Sequence, residues 1–131
     1  MDGHHVSLHD DPRLVEVLID GTVVASSNRT VLLEETGLPA RHYFPRDDVR
    51  MELLAATPTE TVCPFKGQAT YWSVGSGDDE QRDVVWSYEV PIDGVERIAG
   101  HLCFYVERTE HRIDGAVQER PETPWTPRVS R

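Results

Sequence analysis

The sequence contains very little lysine and no long hydrophobic run. Lys66 is the single lysine among 131 residues, whereas arginine occurs twelve times. No two Lys or Arg residues are adjacent, and the formal net charge is −10 at pH 7 with histidine neutral. An acidic chain without a basic patch repels phosphate backbones, so nucleic-acid binding is not expected.

Cysteine is also scarce, and its spacing excludes the common zinc motifs. Cys63 and Cys103 are the two cysteines, and neither belongs to a C-x-x-C pair, so a zinc ribbon is not expected. A disulfide between them stays open as an alternative. Because no secretory signal is evident, we expect reduced thiols and a cytoplasmic protein. No apolar run approaches the roughly 20 residues that span a bilayer, so no membrane segment is expected.

The pattern along the chain is one of short strands separated by turns. Asp-Gly pairs occur at 20–21, 93–94 and 114–115, and Asp-Gly is typical of tight hairpin turns. From His101 to Glu107 the apolar side chains alternate, which indicates a strand with two distinct faces. The sequence therefore predicts a mainly β, single-domain protein, an antiparallel barrel or sandwich (tent-like) with at most one or two short helical turns.

The sequence is predicted to divide into three regions. Residues 1–12 are polar and are predicted to form a mobile tail, residues 13–118 a single β-rich domain, and residues 119–131 an irregular C-terminal segment. The helical turns are expected between Arg46 and Leu53, although an extended Arg50–Leu54 fits nearly as well. Residues 55–60, which include Pro58, are predicted to be a connection.

The most informative stretch runs from Cys63 to Trp72. It combines a thiol, an amine and aromatic rings around a bend at Pro64 and Gly67. Cys63 is a candidate nucleophile if the Lys66 ammonium lowers its pKa, and the alternative is a small buried hydrophobe. Lys66 is a candidate anion ligand in the turn. Its alternative is a structural ion pair with Asp48 or Glu35.

Further candidates are acid–base groups and aromatic rings. Glu35, Asp48 and His101 are candidates for proton transfer, with a solvated strand end, a helix-dipole carboxylate and a surface imidazole as the respective alternatives. The aromatic residues could wall a pocket for a flat ligand, although such rings more often belong to a core. These aromatic candidates are Tyr43, Tyr71, Trp72, Trp86 and Tyr88.

The favoured hypothesis is a pocket around the Cys-Pro-Phe-Lys-Gly turn that binds a small anionic ligand, and one version of this hypothesis adds catalysis. The candidate catalytic residues are Cys63, Lys66, Asp48 and Glu35, and the candidate ligand-binding residues are Tyr43, Tyr71, Trp72, Trp86 and His101. The alternatives are a non-catalytic interaction or dimerisation domain, and a metal site at His101, Cys63 or Cys103. No cofactor is expected, and the chain is expected to be a monomer or a homodimer.

Several of these motifs resemble a bacterial and fungal family catalogued as a domain of unknown function, number 427. The resemblance runs from about Leu14 to Ile113 and rests on four blocks: Tyr43–Val49, Cys63–Gly67, Tyr71–Ser73 and Trp86–Tyr88. It implies a compact β-rich domain and no particular reaction. A label sometimes given to the family is nucleotidyltransferase-like. Such enzymes hold metal with two alternating carboxylates after a Gly-Ser turn, whereas Asp78 and Asp79 are adjacent here.

Overall fold

Eleven strands form two antiparallel sheets in the computed structural model, which describes residues 3–75 and 80–126. The strands are β1 (Val6–Asp11), β2 (Val15–Ile19), β3 (Thr22–Ser27), β4 (Thr30–Glu35), β5 (Arg41–Phe44), β6 (Leu54–Cys63), β7 (Gly67–Val74), β8 (Gln81–Ser87), β9 (Leu102–Phe104), β10 (Glu110–Ile113) and β11 (Ala116–Val117). Three single 3-10 turns occupy Arg46–Asp48, Met51–Leu53 and Glu96–Ile98 in the same residues. The predicted mainly β fold is confirmed.

The larger sheet has seven strands in the order β1-β4-β5-β9-β8-β7-β6, and the smaller has four in the order β11-β10-β2-β3. Among the described residues, β6 and β1 do not pair with each other, so the larger sheet is open rather than a closed barrel. Of the two predicted architectures, the arrangement of two sheets is the one observed.

Among the Asp-Gly pairs at 20–21, 93–94 and 114–115, two make hairpins. Asp20 and Gly21 have φ of 50° and 78° and join β2 to β3, and Asp114 and Gly115 have φ of 50° and 86° and join β10 to β11. Positive φ at both central residues is the geometry that matches the twist of paired strands. The third pair, Asp93-Gly94, lies inside the long loop that joins the paired strands β8 and β9, so it turns the chain within that connection and does not form a tight hairpin.

The larger sheet carries apolar side chains on both faces. Phe44, Val85 and Phe104 pack with Val15 and Val17 of the smaller sheet and form the core between the two sheets. On the other face, residues of the same three strands, Tyr43, Trp86 and Cys103, form a second cluster with Val31, Leu33, Tyr71 and Ile98. Of the alternating strand predicted from His101 to Glu107, only Leu102–Phe104 forms a strand, and its side chains alternate between the two clusters as predicted. This second face is the one that holds the candidate site.

Two local predictions were wrong. Val6–Asp11, expected in a mobile tail, forms β1 against β4, because Val6 and Leu8 alternate with polar residues and pack on the second cluster. Residues 55–60, expected to be a connection, belong to β6. Pro58 is accommodated there because β6 is an edge strand, and its pairing with β7 is interrupted by a bulge between Ala56 and Glu60.

Two histidines with largely buried rings, His42 and His111, predict that the fold becomes less stable in acid. Burial lowers the pKa of His42 to about 4, with Asp11 opposing and Arg13 adding to the shift. Burial also lowers the pKa of His111 to about 3, with His42 and Arg41 adding to the shift while Thr109 and Glu107 oppose it. The folded protein therefore favours the neutral imidazole rings. Their contribution to the free energy of unfolding is fully present above the unfolded pKa of about 6.5 and declines as the pH falls below it.

We expect each of the two rings to remove about 1 kcal/mol of unfolding free energy between pH 7 and pH 5.5, measured by urea denaturation. His111→Gln should remove about half of that pH dependence. An equal pH dependence in the wild type and His111→Gln would contradict this assignment.

Candidate functional site

The turn that joins β6 to β7 fixes the direction of Lys66. The Lys66 N–H donates to the Cys63 carbonyl at 3.2 Å, and the Ile92 N–H donates to the Lys66 carbonyl at 3.0 Å. Gly67 has φ of +121°, and a Cβ built on it would lie 3.4 Å from the Pro91 Cα. Only glycine adopts this backbone easily, and it lets the turn lie directly against the 90–92 loop. The Lys66 side chain therefore points inward from a turn held on both sides.

Lys66 forms a buried ion pair with Glu35 at the end of β4. The two residues are 7% and 8% exposed, and the ammonium donates to Glu35 Oε1. His4 Nε2 lies 2.9 Å from the other carboxylate oxygen, and the His4 ring stacks on Phe65 with centroids 3.9 Å apart. Of the two carboxylates considered as ion-pair partners for Lys66, Glu35 is the one observed.

This ion pair opens on a cavity of about 340 Å³ on the outer face of the larger sheet. The volume falls near the lower end of the range of roughly 300–1,000 Å³ that small-molecule sites occupy. Six of the nine predicted site residues line it: Glu35, Tyr43, Cys63, Lys66, Tyr71 and Trp86. The structure thus brings together the ammonium, the thiol and three of the four predicted aromatic ligand-binding residues.

The cavity walls combine aromatic rings with hydroxyl groups. The Trp86 indole N–H donates to the Tyr43 hydroxyl at 3.2 Å, and the Tyr71 hydroxyl lies 2.8 Å from Thr61 Oγ1. Burial raises the pKa of Tyr43, Tyr88 and Tyr105 above the usual range. These phenols therefore keep their protons and remain hydrogen-bond donors at any physiological pH.

A second buried ion pair, which the sequence did not reveal, borders the same cavity. Arg41 lines the cavity and donates to both carboxylate oxygens of Glu107, at 2.6 and 2.9 Å. Its guanidinium carbon lies 5.3, 5.6 and 6.0 Å from the ring centroids of Trp86, Tyr105 and Trp125. Burial acts to raise the pKa of Glu107, but the Arg41 and Thr123 hydrogen bonds hold it below its usual value.

One signal could have identified Arg41. It lies two residues before Tyr43, so the alternation of β5 places both side chains on the same face. The alternation predicted for residues 101–107 placed Tyr105 on the same face as Cys103, which is the face of the cavity. No sequence signal marked Trp125, because it reaches the cavity through the irregular C-terminal segment. None marked the pairing of Glu107 with Arg41 either, because residues 105–109 lie outside the strands.

The two cysteines differ in their surroundings, and both are free thiols. Cys103 is fully buried in the second cluster, and burial raises its pKa to about 12, so it behaves as a small buried hydrophobe. Cys63 is half-buried and lines the cavity beside Lys66. A nucleophilic role for Cys63, with Lys66 and Glu35 in proton transfer, stays a prediction.

Three predicted site residues lie away from the cavity. Asp48 accepts hydrogen bonds from Ser27 at 2.6 Å and Arg29 at 3.0 Å, because the turn at Arg46–Asp48 packs beside β3. The Arg29 hydrogen bond lowers the pKa of Asp48, which identifies a stable carboxylate rather than a proton donor.

Trp72 and His101 do not line the cavity, because one lies on the opposite face of β7 and the other in the loop before β9. Trp72 follows Tyr71 in β7, so it points to the opposite face, where its ring lies 5.6 Å from the Arg46 guanidinium carbon. His101 lies in the loop before β9, and its Nδ1 donates to the Ala99 carbonyl at 3.1 Å.

The metal hypothesis has no cluster to support it in residues 3–75 and 80–126. No group of three or more His, Cys, Asp or Glu side chains is placed there to hold an ion. Across these same residues, no helix has the length and apolar character that crossing a membrane requires.

The fold and the cavity define a β protein of two open sheets with an aromatic pocket that contains two buried ion pairs. A family model described as a domain of unknown function (DUF427) matches residues 7–118, so the chain belongs to this family. The resemblance noted from the sequence is confirmed. No curated protein matches the sequence. Asp78 and Asp79, the two carboxylates that the sequence analysis compared with those of nucleotidyltransferases, belong to residues 76–79, which lie outside the described residues.

Proposed function

We propose that the protein binds a small ligand that combines a planar ring with one anionic group, in the cavity between Lys66 and Arg41. The observation that carries the proposal is the buried Lys66 ammonium, held by Glu35 and open to a cavity whose walls are tyrosine and tryptophan. Pockets of this kind, apolar and aromatic with a few convergent polar groups, are the usual form of small-molecule sites.

The aromatic walls favour a planar ligand. Trp86, Tyr71 and Tyr105 present rings to the cavity, and planar rings gain from offset stacking or edge contacts with them beyond the area that they bury. The cavity of about 340 Å³ suits a ring with a short substituent better than a dinucleotide.

The polar groups favour a ligand with an anionic acceptor. The Lys66 ammonium has three donor hydrogens, and among the described residues Glu35 is the only hydrogen-bond partner of this ammonium. Within the same part of the chain, the Tyr88 hydroxyl has no hydrogen-bond partner, and burial keeps it protonated. Lys66 and Arg41 are each already paired with a carboxylate, so the two ion pairs bring no excess positive charge to the cavity. The cavity offers hydrogen-bond donors in fixed directions instead, which favours a ligand with a single carboxylate or phosphate.

Matched pairs of ligands test the proposal. We expect nicotinate and AMP to raise the thermal unfolding temperature more than their neutral counterparts, nicotinamide and adenosine. A ligand at about one hundred times its dissociation constant adds about 2.7 kcal/mol of stability, which is a readable shift. The double variant Lys66→Met/Glu35→Gln should lose the preference for the anionic member of each pair.

Asp48→Asn is the matched control, because Asp48 is an ion-paired carboxylate outside the cavity. It should keep the preference for the anion. The proposal fails if none of the four compounds shifts the wild type, or if the Lys66 and Asp48 variants respond alike.

A further inference from the structure

The C-terminal segment, residues 119–126, contributes a wall to the cavity although it lies outside residues 7–118 that the family model matches. It forms no strand or helix. It is nevertheless attached to the domain through specific contacts, and one of its side chains, Trp125, lines the cavity.

A hydrogen-bond network holds this segment on the buried ion pair. Thr123 Oγ1 donates to Glu107 Oε2 at 2.7 Å, and the Trp125 N–H donates to Thr123 Oγ1 at 3.1 Å. The Thr123 N–H in turn donates to Thr126 Oγ1 at 2.9 Å. Glu107 is 2% exposed, so the attachment point is a buried carboxylate that Arg41 also fixes. A hydrogen bond to a charged group is among the stronger kinds, so the segment has a defined position.

Trp125 stands at the open side of the cavity. Its ring centroid lies 6.0 Å from the Arg41 guanidinium carbon, and the residue is 44% exposed. A tryptophan ring left half in solvent at the edge of a cavity offers apolar area that a stacked ligand ring would cover. Its position also limits how far a ligand can extend past Arg41.

We propose that Trp125, held in place by Thr123, is a specificity-determining residue that selects ligands by size. This inference rests on the proposed function, since it concerns the ligand of the same cavity. With Trp125 present, a single ring with a short anionic group fits between Lys66 and Arg41. Without it, the cavity extends toward solvent and accepts a longer ligand.

The first test compares affinities of nicotinate and AMP for the full chain and its variants by calorimetry. Trp125→Ala should change the affinity ratio about tenfold in favour of AMP, comparable to other changes of pocket size. Thr123→Val should change it in the same direction. Thr59→Val is the matched control, because it also removes a hydroxyl hydrogen bond of 2.7 Å to a carboxylate, that of Asp83, but on β6 and away from the segment.

The second test needs no ligand. Trp86 is the single tryptophan left in two double variants, Trp72→Phe/Trp125→Phe and Trp72→Phe/Trp125→Ala, which are compared with each other. Losing the ring at position 125 should raise the acrylamide quenching constant of Trp86 at least about twofold, because the cavity is then open to solvent.

The outcomes separate the two proposals. Equal affinity ratios in the wild type and Trp125→Ala, or equal quenching in the two single-tryptophan proteins, would overturn the role of Trp125 and leave the pocket intact. A wild type that binds neither nicotinate nor AMP would overturn the proposed function and with it the selection of ligands, even if the quenching differs.

Discussion

Glu107→Met should lower the free energy of unfolding by about 3–5 kcal/mol, the largest effect we expect from a single substitution. The Glu107 side chain is inaccessible to solvent, and its partner Arg41 is 9% exposed in its side chain. Without the carboxylate, the guanidinium remains buried among three rings with no counter-charge, and Thr123 loses its acceptor. Urea denaturation at pH 7, compared with the wild type, measures the loss.

The double variant Arg41→Met/Glu107→Met should recover most of this loss. Replacing both members of a buried ion pair by apolar residues of similar volume is often neutral or stabilising, whereas removing one is not. A loss below about 1 kcal/mol for Glu107→Met would contradict this account, because it would mean that water reaches Arg41.

Lys66→Met should be the second most destabilising substitution, with a loss of about 3 kcal/mol. It leaves the Glu35 carboxylate, 4% exposed in its side chain, without the ammonium. The effect should be smaller than that of Glu107→Met, because His4 still lies 2.9 Å from the second oxygen of Glu35. Denaturation in urea at pH 7 gives the comparison.

The double variant Lys66→Met/Glu35→Gln should be more stable than Lys66→Met, since the buried charge is gone and the amide keeps hydrogen-bonding capacity. Arg50→Met is the control for removing one cation from an ion pair. Its partner Glu52 is 65% exposed in its side chain, so the loss should be within the range of surface pairs. Similar losses for Lys66→Met and Arg50→Met would show that the Lys66 pair is not buried in solution.

The turn chemistry and strand alternation made much of the fold predictable. The Asp-Gly pairs at 20–21 and 114–115 identified two hairpins, because those residues tolerate positive φ. Residues 1–12 and 55–60 were misread because polar edge strands have weak alternation on their own. Val6 and Leu8 become partly buried only against the partner face that β4 and the second cluster provide, which the local sequence does not show.

The candidate site was predictable where it depends on one turn and one sheet face. Cys63 and Lys66 flank a tight bend, and Tyr43, Tyr71 and Trp86 lie on neighbouring positions of one face. Trp72 could have been excluded, because it alternates with Tyr71 in β7. Asp48 and His101 could not, since their distance from the cavity depends on how the sheets pack. Trp125 reaches the cavity through a chain segment without periodicity, and the pairing of Glu107 with Arg41 depends on residues 105–109, which form no strand.

The central claim is that the outer face of the larger sheet binds a planar anionic ligand, and the three tryptophans allow this to be located. Trp86 and Trp125 line the cavity, whereas Trp72 lies on the opposite face. A fluorescence titration with nicotinate compares Trp72→Phe, which keeps both cavity tryptophans, with Trp86→Phe/Trp125→Phe, which keeps only Trp72. We predict saturable quenching in the first protein and none in the second; quenching that is absent from both, or equal in both, would contradict the claim.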